Sequence, residues 1–109
     1  MIAVGLDAGS LSTKAVVMDG RGILASAVVQ SADSAEASAR AALDQALAKA
    51  GLGRDREAYV VSTGAGSKAV SFSRQSKAIT TCLARGVHFL LPEARTAIDM
   101  GAETITVVR

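Results

Sequence analysis

An apolar run near the start of the chain ends abruptly in a turn, and this junction constrains the fold more than any other feature. Residues 2–6 are almost continuously apolar, which is typical of a central strand covered on both faces of a sheet. Residues 7–10, Asp-Ala-Gly-Ser, predict a tight turn, and residues 14–18 a second strand. The Gly-containing turn 19–22 indicates a hairpin, so we expect residues 23–29 to pair antiparallel with the second strand.

The middle of the chain alternates between helix and strand patterns. Asp33 and Glu36 have the spacing of a capping box, and alanines and leucines then recur at helical intervals up to Gly51. Residues 58–62 predict a short strand that enters Thr-Gly-Ala-Gly at 63–66, with a brief helix near Ser67. A longer helix is predicted before Pro92. Its apolar face consists of Ile79, Cys82, Leu83, Val87, Leu90 and Leu91.

Two further strands are predicted near the end, a buried one at residues 96–100 and another at 104–108. The resulting α/β order, three antiparallel strands followed by helix, strand, helix and strand, resembles the ribonuclease H-like lobe of the actin, heat-shock chaperone and sugar-kinase superfamily. One copy of that lobe is present, and the strand at 104–108 lacks a hairpin partner. We therefore expect a first lobe at 1–97 and the first strand and turn of a truncated second lobe at 98–109.

Composition excludes several classes of protein. Half of the 109 residues are apolar and the net charge is only +2, so neither disorder nor a nucleic-acid footprint is indicated. The first apolar run is too short for a signal peptide or a membrane span. The single cysteine, Cys82, cannot form an internal disulfide, which fits a reducing compartment, and we expect a cytoplasmic protein without a membrane partner.

The segment 7–14 is the strongest candidate for chemistry, because a glycine turn with small neighbours lets backbone N–H groups approach a polyphosphate. It resembles the first phosphate motif of the superfamily. The candidate nucleotide-binding residues in it are Asp7, Gly9, Ser10, Ser12, Thr13 and Lys14. Lys14 would offset phosphate charge and Asp7 would hold hydrated Mg²⁺. The alternative is an ordinary hairpin with a stray acid.

A second acid-and-glycine turn begins at Asp99 and Gly101, which resembles the opening of the superfamily's second phosphate motif. We expect Asp99, like Asp7, to hold Mg²⁺ through water. Dehydratase activators usually carry Asp-Ile-Gly-Gly-Gln-Asp here, so this chain departs from the motif at residues 102–104, Ala-Glu-Thr. The resemblance implies that the Gln and Asp of that motif, at positions 103 and 104 here, sit where attacking water and magnesium would be arranged. A merely structural turn is the alternative.

Three other features carry weaker signals. Residues 64–69 match a loose dinucleotide fingerprint, but they follow three earlier strands and no ribose-binding acid follows at the required distance. Cys82 lies on the apolar face of its predicted helix, which favours a small core residue over a reactive thiol. His88 has no other ligand-type residue at metal spacing and is interpreted as a surface or partly buried helix residue.

The specific family resemblance lies in the segments 80–86, Thr-Thr-Cys-Leu-Ala-Arg-Gly, and 91–95, Leu-Pro-Glu-Ala-Arg. With Thr63, Gly64 and Gly66 they resemble the BadF/BadG/BcrA/BcrD ATPase family, whose usual Thr-Gly-x-Gly-Arg segment ends here in Ser67. The turn Asp-Met-Gly-Ala resembles the D-type subunit of benzoyl-CoA reductase more than the 2-hydroxyacyl-CoA dehydratase activators. The resemblance covers the N-terminal portion of a family member.

The resemblance implies an ATPase that binds ATP or ADP with Mg²⁺ and dimerises around a shared four-iron, four-sulfur cluster. Such proteins drive low-potential electron transfer into a CoA-thioester dehydratase or benzoyl-CoA reductase subunit. The cluster cysteines and the adenosine-binding segment are absent from this chain, so we expect it to lack the cluster and to be inactive alone. Two alternatives remain, a phosphotransferase lobe like those of sugar and acetate kinases, and a non-catalytic assembly module.

Overall fold

A computed structural model of the chain describes residues 1–53, 57–100 and 105–108. The described strands are β1 (Ala3–Ala8), β2 (Ser12–Asp19), β3 (Gly22–Gln30), β4 (Tyr59–Thr63), β5 (Gln75–Ser76), β6 (Ala97–Met100) and β7 (Ile105–Val108). The described helices are α1 (Ala35–Lys49) and α2 (Ile79–Leu90), with a short 3-10 helix at Ser67–Ala69. Within the described ranges, neither helix has the length and apolarity that a bilayer crossing demands. The chain divides into two compact units, Met1–Ser76 and Lys77–Arg109.

The first unit contains a five-stranded mixed sheet in the order β3-β2-β1-β4-β5. The pairs β1–β2 and β2–β3 are antiparallel, which confirms the two predicted hairpins. Strand β4 lies parallel to β1 on its other side, and β5 lies parallel to β4. Strand β5 was not predicted, because a two-residue strand is too short to show any periodicity.

Helix α1 covers one face of this sheet and forms the core with it. Alternate residues of β1 are buried, and the buried side of α1 is rich in alanine, which lets the helix approach the strands closely. Ala3 and Gly5 on the opposite face are exposed. The prediction that β1 is covered on both faces is therefore wrong for the described chain, since its apolar run reflects one buried row interleaved with small residues.

The N-terminus of α1 is capped by a different residue from the one predicted. The side chain of Ser34, rather than Asp33, accepts a hydrogen bond from Ala37 N at 3.1 Å. Glu36 is thus not the second half of a capping box. Its carboxylate instead accepts hydrogen bonds from the backbone N–H, at 3.1 Å, and the hydroxyl of Ser71, which attach α1 to the segment after the 3-10 helix.

The second unit is an antiparallel β6–β7 hairpin in contact with α2. The prediction that the strand at 104–108 lacks a hairpin partner is wrong, because β7 pairs with β6, with Ile98 opposite Val107. Strand β6 was expected to be buried, but Ile98 and Met100 are exposed. A single helix cannot cover both faces of a two-stranded sheet. The lobe boundary expected between residues 97 and 98 stays a prediction.

Candidate phosphate-binding site

The turn between β1 and β2 is closed by a backbone hydrogen bond in which Gly9 N donates to Ser12 O at 3.1 Å. A Cβ at Gly9 would stand 2.6 Å from that same oxygen, closer than real Cβ atoms come to a backbone atom. This position therefore requires glycine for close approach of the backbone to itself.

Two backbone donors of this turn are free within the described part of the chain. Gly9 N is used inside the turn, whereas the N–H groups of Ser10 and Leu11 have no protein acceptor among the described residues. Both residues are exposed, so these amides are open to water or to a ligand. Successive free N–H groups in a turn are a recurrent feature of anion-binding sites.

Asp7 and Lys14 flank the turn on neighbouring strands. They lie opposite one another in the antiparallel register, and Lys14 Nζ is 3.6 Å from Asp7 Oδ2. Lys14 Nζ also donates to Ser12 O at 3.5 Å. Both side chains are somewhat less than half exposed, and an ion pair of this kind is worth about 0–1 kcal/mol. A phosphate or a hydrated cation can therefore separate the pair at little cost.

The two hydroxyls that begin β2 lie in different environments. Ser12 is half-buried, whereas Thr13 is 1% exposed and its Oγ1 is 2.8 Å from Ser31 Oγ. The Thr13 hydroxyl, which we expected to bind nucleotide, is thus turned into the interior. There it contacts Ser31, which in turn contacts the backbone of the turn. Ser31 gave no sequence signal, because it follows β3 and reaches the turn only through strand pairing.

The glycine segment after β4 lies against the same turn. Strands β1 and β4 are parallel, so their carboxyl ends meet at one edge of the sheet, with Asp7 beside Thr63. Gly66 N donates to Ala8 O at 3.0 Å, and Gly64 has a φ of +95°. The sequence pattern treated residues 63–66 as a separate, weak dinucleotide signal. In the structure, residues 63–66 instead lie against the end of β1 and form one side of the candidate site.

The second predicted motif lies in the other compact unit. Asp99 is exposed on β6, opposite Thr106 of β7. Gly101, its predicted partner in this motif, lies outside the described residues.

Comparison with known proteins assigns the family. The model of the BadF/BadG/BcrA/BcrD ATPase family matches residues 4–109. The chain belongs to this family. The activator of lactoyl-CoA dehydratase from Anaerotignum propionicum is 40% identical to this family member over 112 residues, which cover 100% of this chain and 42% of that protein.

Solved structures agree with this assignment. The activator of 2-hydroxyisocaproyl-CoA dehydratase from Clostridium difficile, with bound ADPNP, matches with a TM-score of 0.87 at 35% identity, over 98% of this chain and 40% of that chain. The ROK hexokinase from Thermus thermophilus matches with a TM-score of 0.61 at 19% identity, over 90% of this chain and 41% of that one. The chain shares its fold with both proteins, which confirms the predicted mixed α/β lobe.

This family member spans about two fifths of the length of the relatives it matches. The relatives with curated names are activators of dehydratases. The finer resemblance to D-type benzoyl-CoA reductase subunits stays a prediction.

The family resemblance implies two metal groups, Mg²⁺ and an iron–sulfur cluster. The residues of this chain fit Mg²⁺. No three His, Cys, Asp or Glu side chains gather as metal ligands within residues 1–53, 57–100 and 105–108. Mg²⁺ needs fewer protein ligands, because it keeps several waters and binds through one or two carboxylates plus phosphate oxygens. The half-exposed carboxylate of Asp7, on the strand that leads into the turn with two free amides, fits that pattern.

An iron–sulfur cluster does not fit this chain. Such clusters are held by four cysteines, and the only cysteine here is Cys82. It is half-buried on α2, rather than fully buried in a core as expected. His88 is exposed in the last turn of the same helix, which confirms its interpretation as a helix residue at the surface.

Proposed function

We propose that this chain is the N-terminal nucleotide-binding lobe of an ATPase that drives low-potential electron transfer into a CoA-thioester dehydratase or benzoyl-CoA reductase. Family membership and the names of the relatives support this proposal. One relative binds ADPNP, a close analogue of ATP. The partners are then subunits of the dehydratase or reductase, in a cytoplasmic homo- or hetero-oligomer.

The observation that carries the proposal is the pair of free amides at Ser10 and Leu11, at the tip of the turn whose two strands carry Asp7 and Lys14. Phosphate oxygens accept hydrogen bonds from such amides, and an ammonium group adds a charge-assisted bond. In our proposal, the turn amides and Lys14 Nζ bind the phosphates, with the Ser10 and Ser12 hydroxyls close by. Gly9 keeps the backbone close enough for that contact.

The Asp7 carboxylate would hold hydrated Mg²⁺, which would neutralise part of the phosphate charge when bound. Asp99 and Gly101 have the corresponding role in the second motif. The ligands of a four-iron, four-sulfur cluster would have to come from outside this chain, because one cysteine cannot supply them. The Gly64 segment lies against the Asp7 side chain and the end of β1.

We expect the isolated chain to bind ATP weakly and to hydrolyse it at a negligible rate. A single turn supplies few of the donors that a triphosphate needs, and residues 102–104 depart from the motif that positions the attacking water. Affinity in the millimolar range corresponds to about 4 kcal/mol of binding free energy, which two amides and one ammonium group can supply.

The test is an ¹H–¹⁵N NMR titration of the chain with ATP, with and without Mg²⁺. We expect saturable shifts at the amides of residues 9–14 and a smaller effect without Mg²⁺. AMP is the matched control, because it has the same base and ribose but a single phosphate. Shifts centred elsewhere in the chain, or none at about 10 mM MgATP, would contradict the proposal.

A further inference from the structure

Ser31 contacts the candidate phosphate-binding turn at three points, although it lies outside the turn in sequence. Its hydroxyl donates to Gly9 O at 2.8 Å. Its backbone N–H donates to Leu11 O, also at 2.8 Å. Its Oγ lies 2.8 Å from Thr13 Oγ1. These contacts surround the residue pair, Ser10 and Leu11, whose amides are free.

The direction of the hydroxyl chain follows from elementary chemistry. A serine hydroxyl has one hydrogen, and a carbonyl oxygen can only accept. Since the Ser31 hydrogen is donated to Gly9 O, the bond between Ser31 and Thr13 has Thr13 as donor. The order is therefore Thr13 to Ser31 to Gly9, with each hydroxyl hydrogen used.

This chain of bonds determines which groups of the turn remain available. The carbonyls of Gly9 and Leu11 are both occupied by Ser31, and Gly9 N is bonded to Ser12 O. The groups left over at the tip of the turn, among the described residues, are the two N–H donors and the Ser10 carbonyl. Because the neighbouring carbonyls are occupied and both tip amides are free, the turn presents two adjacent donors to an anion.

We propose that Ser31 is a positioning residue for nucleotide binding: it holds the turn of residues 9–12 in the conformation that leaves the Ser10 and Leu11 amides free for phosphate. This inference rests on the proposed function, because it concerns the same turn. Ser31 itself does not touch the phosphate. It acts by reducing the conformational freedom that the turn would lose on binding.

The test compares Ser31→Ala with Ser34→Ala, first without nucleotide and then in the MgATP titration. Ser34 is the matched control, because its side chain caps α1 through Ala37 N and makes no contact with the turn. Both variants lose side-chain hydrogen bonds, so both are expected to unfold at lower denaturant concentration. Only Ser31→Ala should alter the turn.

Without nucleotide, we expect the ¹⁵N order parameters of residues 9–11 to fall from about 0.85 to below about 0.6 in Ser31→Ala and to stay unchanged in Ser34→Ala. With MgATP, we expect Ser31→Ala to bind about fivefold more weakly, the loss that corresponds to one hydrogen bond. Ser31→Thr keeps the hydroxyl and should bind within about twofold of the parent.

A turn that stays ordered in Ser31→Ala overturns the inference and leaves the proposed function intact. Equal loss of affinity in Ser31→Ala and Ser34→Ala also overturns it, as does a Ser31→Thr variant as weak as Ser31→Ala. If the parent chain binds no MgATP, the proposed function fails, and the order parameters alone decide whether Ser31 holds the turn.

Discussion

The backbone of Gly64 lies directly against the side chain of Asp7, so that a Cβ at Gly64 would stand 2.7 Å from Asp7 Oδ1 and 2.7 Å from Ala8 O. The φ of Gly64 is +95°, a conformation that side chains rarely adopt. The glycine is therefore required both by its backbone angle and by the space that the end of β1 leaves. This contact joins two segments that are distant in sequence into one site.

Gly64→Ala should lower the free energy of unfolding by at least about 1–3 kcal/mol, the cost of backbone strain, with a further cost from the clash. Urea unfolding followed by circular dichroism measures the change. Gly5→Ala is the matched control, since a Cβ at Gly5 meets nothing within 4 Å and its φ is not positive. If both substitutions lowered the free energy of unfolding equally, the Gly64 segment would not be packed tightly against the end of β1.

Asp7→Asn should change stability little but remove the Mg²⁺-dependent part of the response to ATP. The ion pair with Lys14 is close to half exposed, so its loss costs at most about 1 kcal/mol. Thermal unfolding and the NMR titration measure the two effects in one sample. Asp19→Asn is the control, because it removes a carboxylate at the other end of β2. This variant should keep the Mg²⁺-dependent response to ATP. A large loss of stability with the Mg²⁺ response intact would make Asp7 a structural turn residue.

The pKa of Asp19 should report on the β2–β3 turn. The backbone N–H of Arg21 donates to Asp19 Oδ1 at 2.8 Å and, with a smaller contribution from the Arg21 guanidinium, holds the pKa of this carboxyl below its ordinary value of 3.8. A lowered pKa means that the carboxylate stabilises the fold above pH 3.8, and that this contribution is lost as the pH falls through the lower folded value.

Arg21→Gln should leave most of this pKa shift in place, because the backbone N–H, its largest cause, is retained. A ¹³C NMR titration of the Asp19 carboxyl measures the pKa in both proteins. If the pKa of Asp19 returns to its ordinary value in Arg21→Gln, the side chain and not the backbone controls it.

Iron analysis should find no stoichiometric iron in the chain purified without oxygen. One cysteine per chain cannot supply four thiolate ligands, even when two chains contribute one each. Cys82→Ser is the control and should have the same iron content and visible absorption as the parent. A charge-transfer band that disappears in Cys82→Ser would show that this thiol is a ligand.

The local parts of the fold were predictable because they depend on neighbouring residues. The two hairpins follow from short apolar strands separated by glycine turns, and α1 follows from alanines and leucines at helical spacing, ending at Lys49 beside Gly51. The candidate residues Asp7, Gly9 and Lys14 could be grouped from the sequence because they are close in the chain. Strand β5 and the Ser34 cap were missed, because a two-residue strand and a one-residue shift leave no trace in a periodic pattern.

By itself, the sequence determined the hairpin that carries the candidate site and the family to which its motifs point. The tertiary structure decided the rest of the site: that Gly64 lies against Asp7, that Thr13 is buried, and that Ser31 occupies two carbonyls of the turn. The physical reason is that these contacts depend on which strands become neighbours. Strand order is settled by the packing of α1 and the sheet as a whole, and no pattern of adjacent residues encodes it.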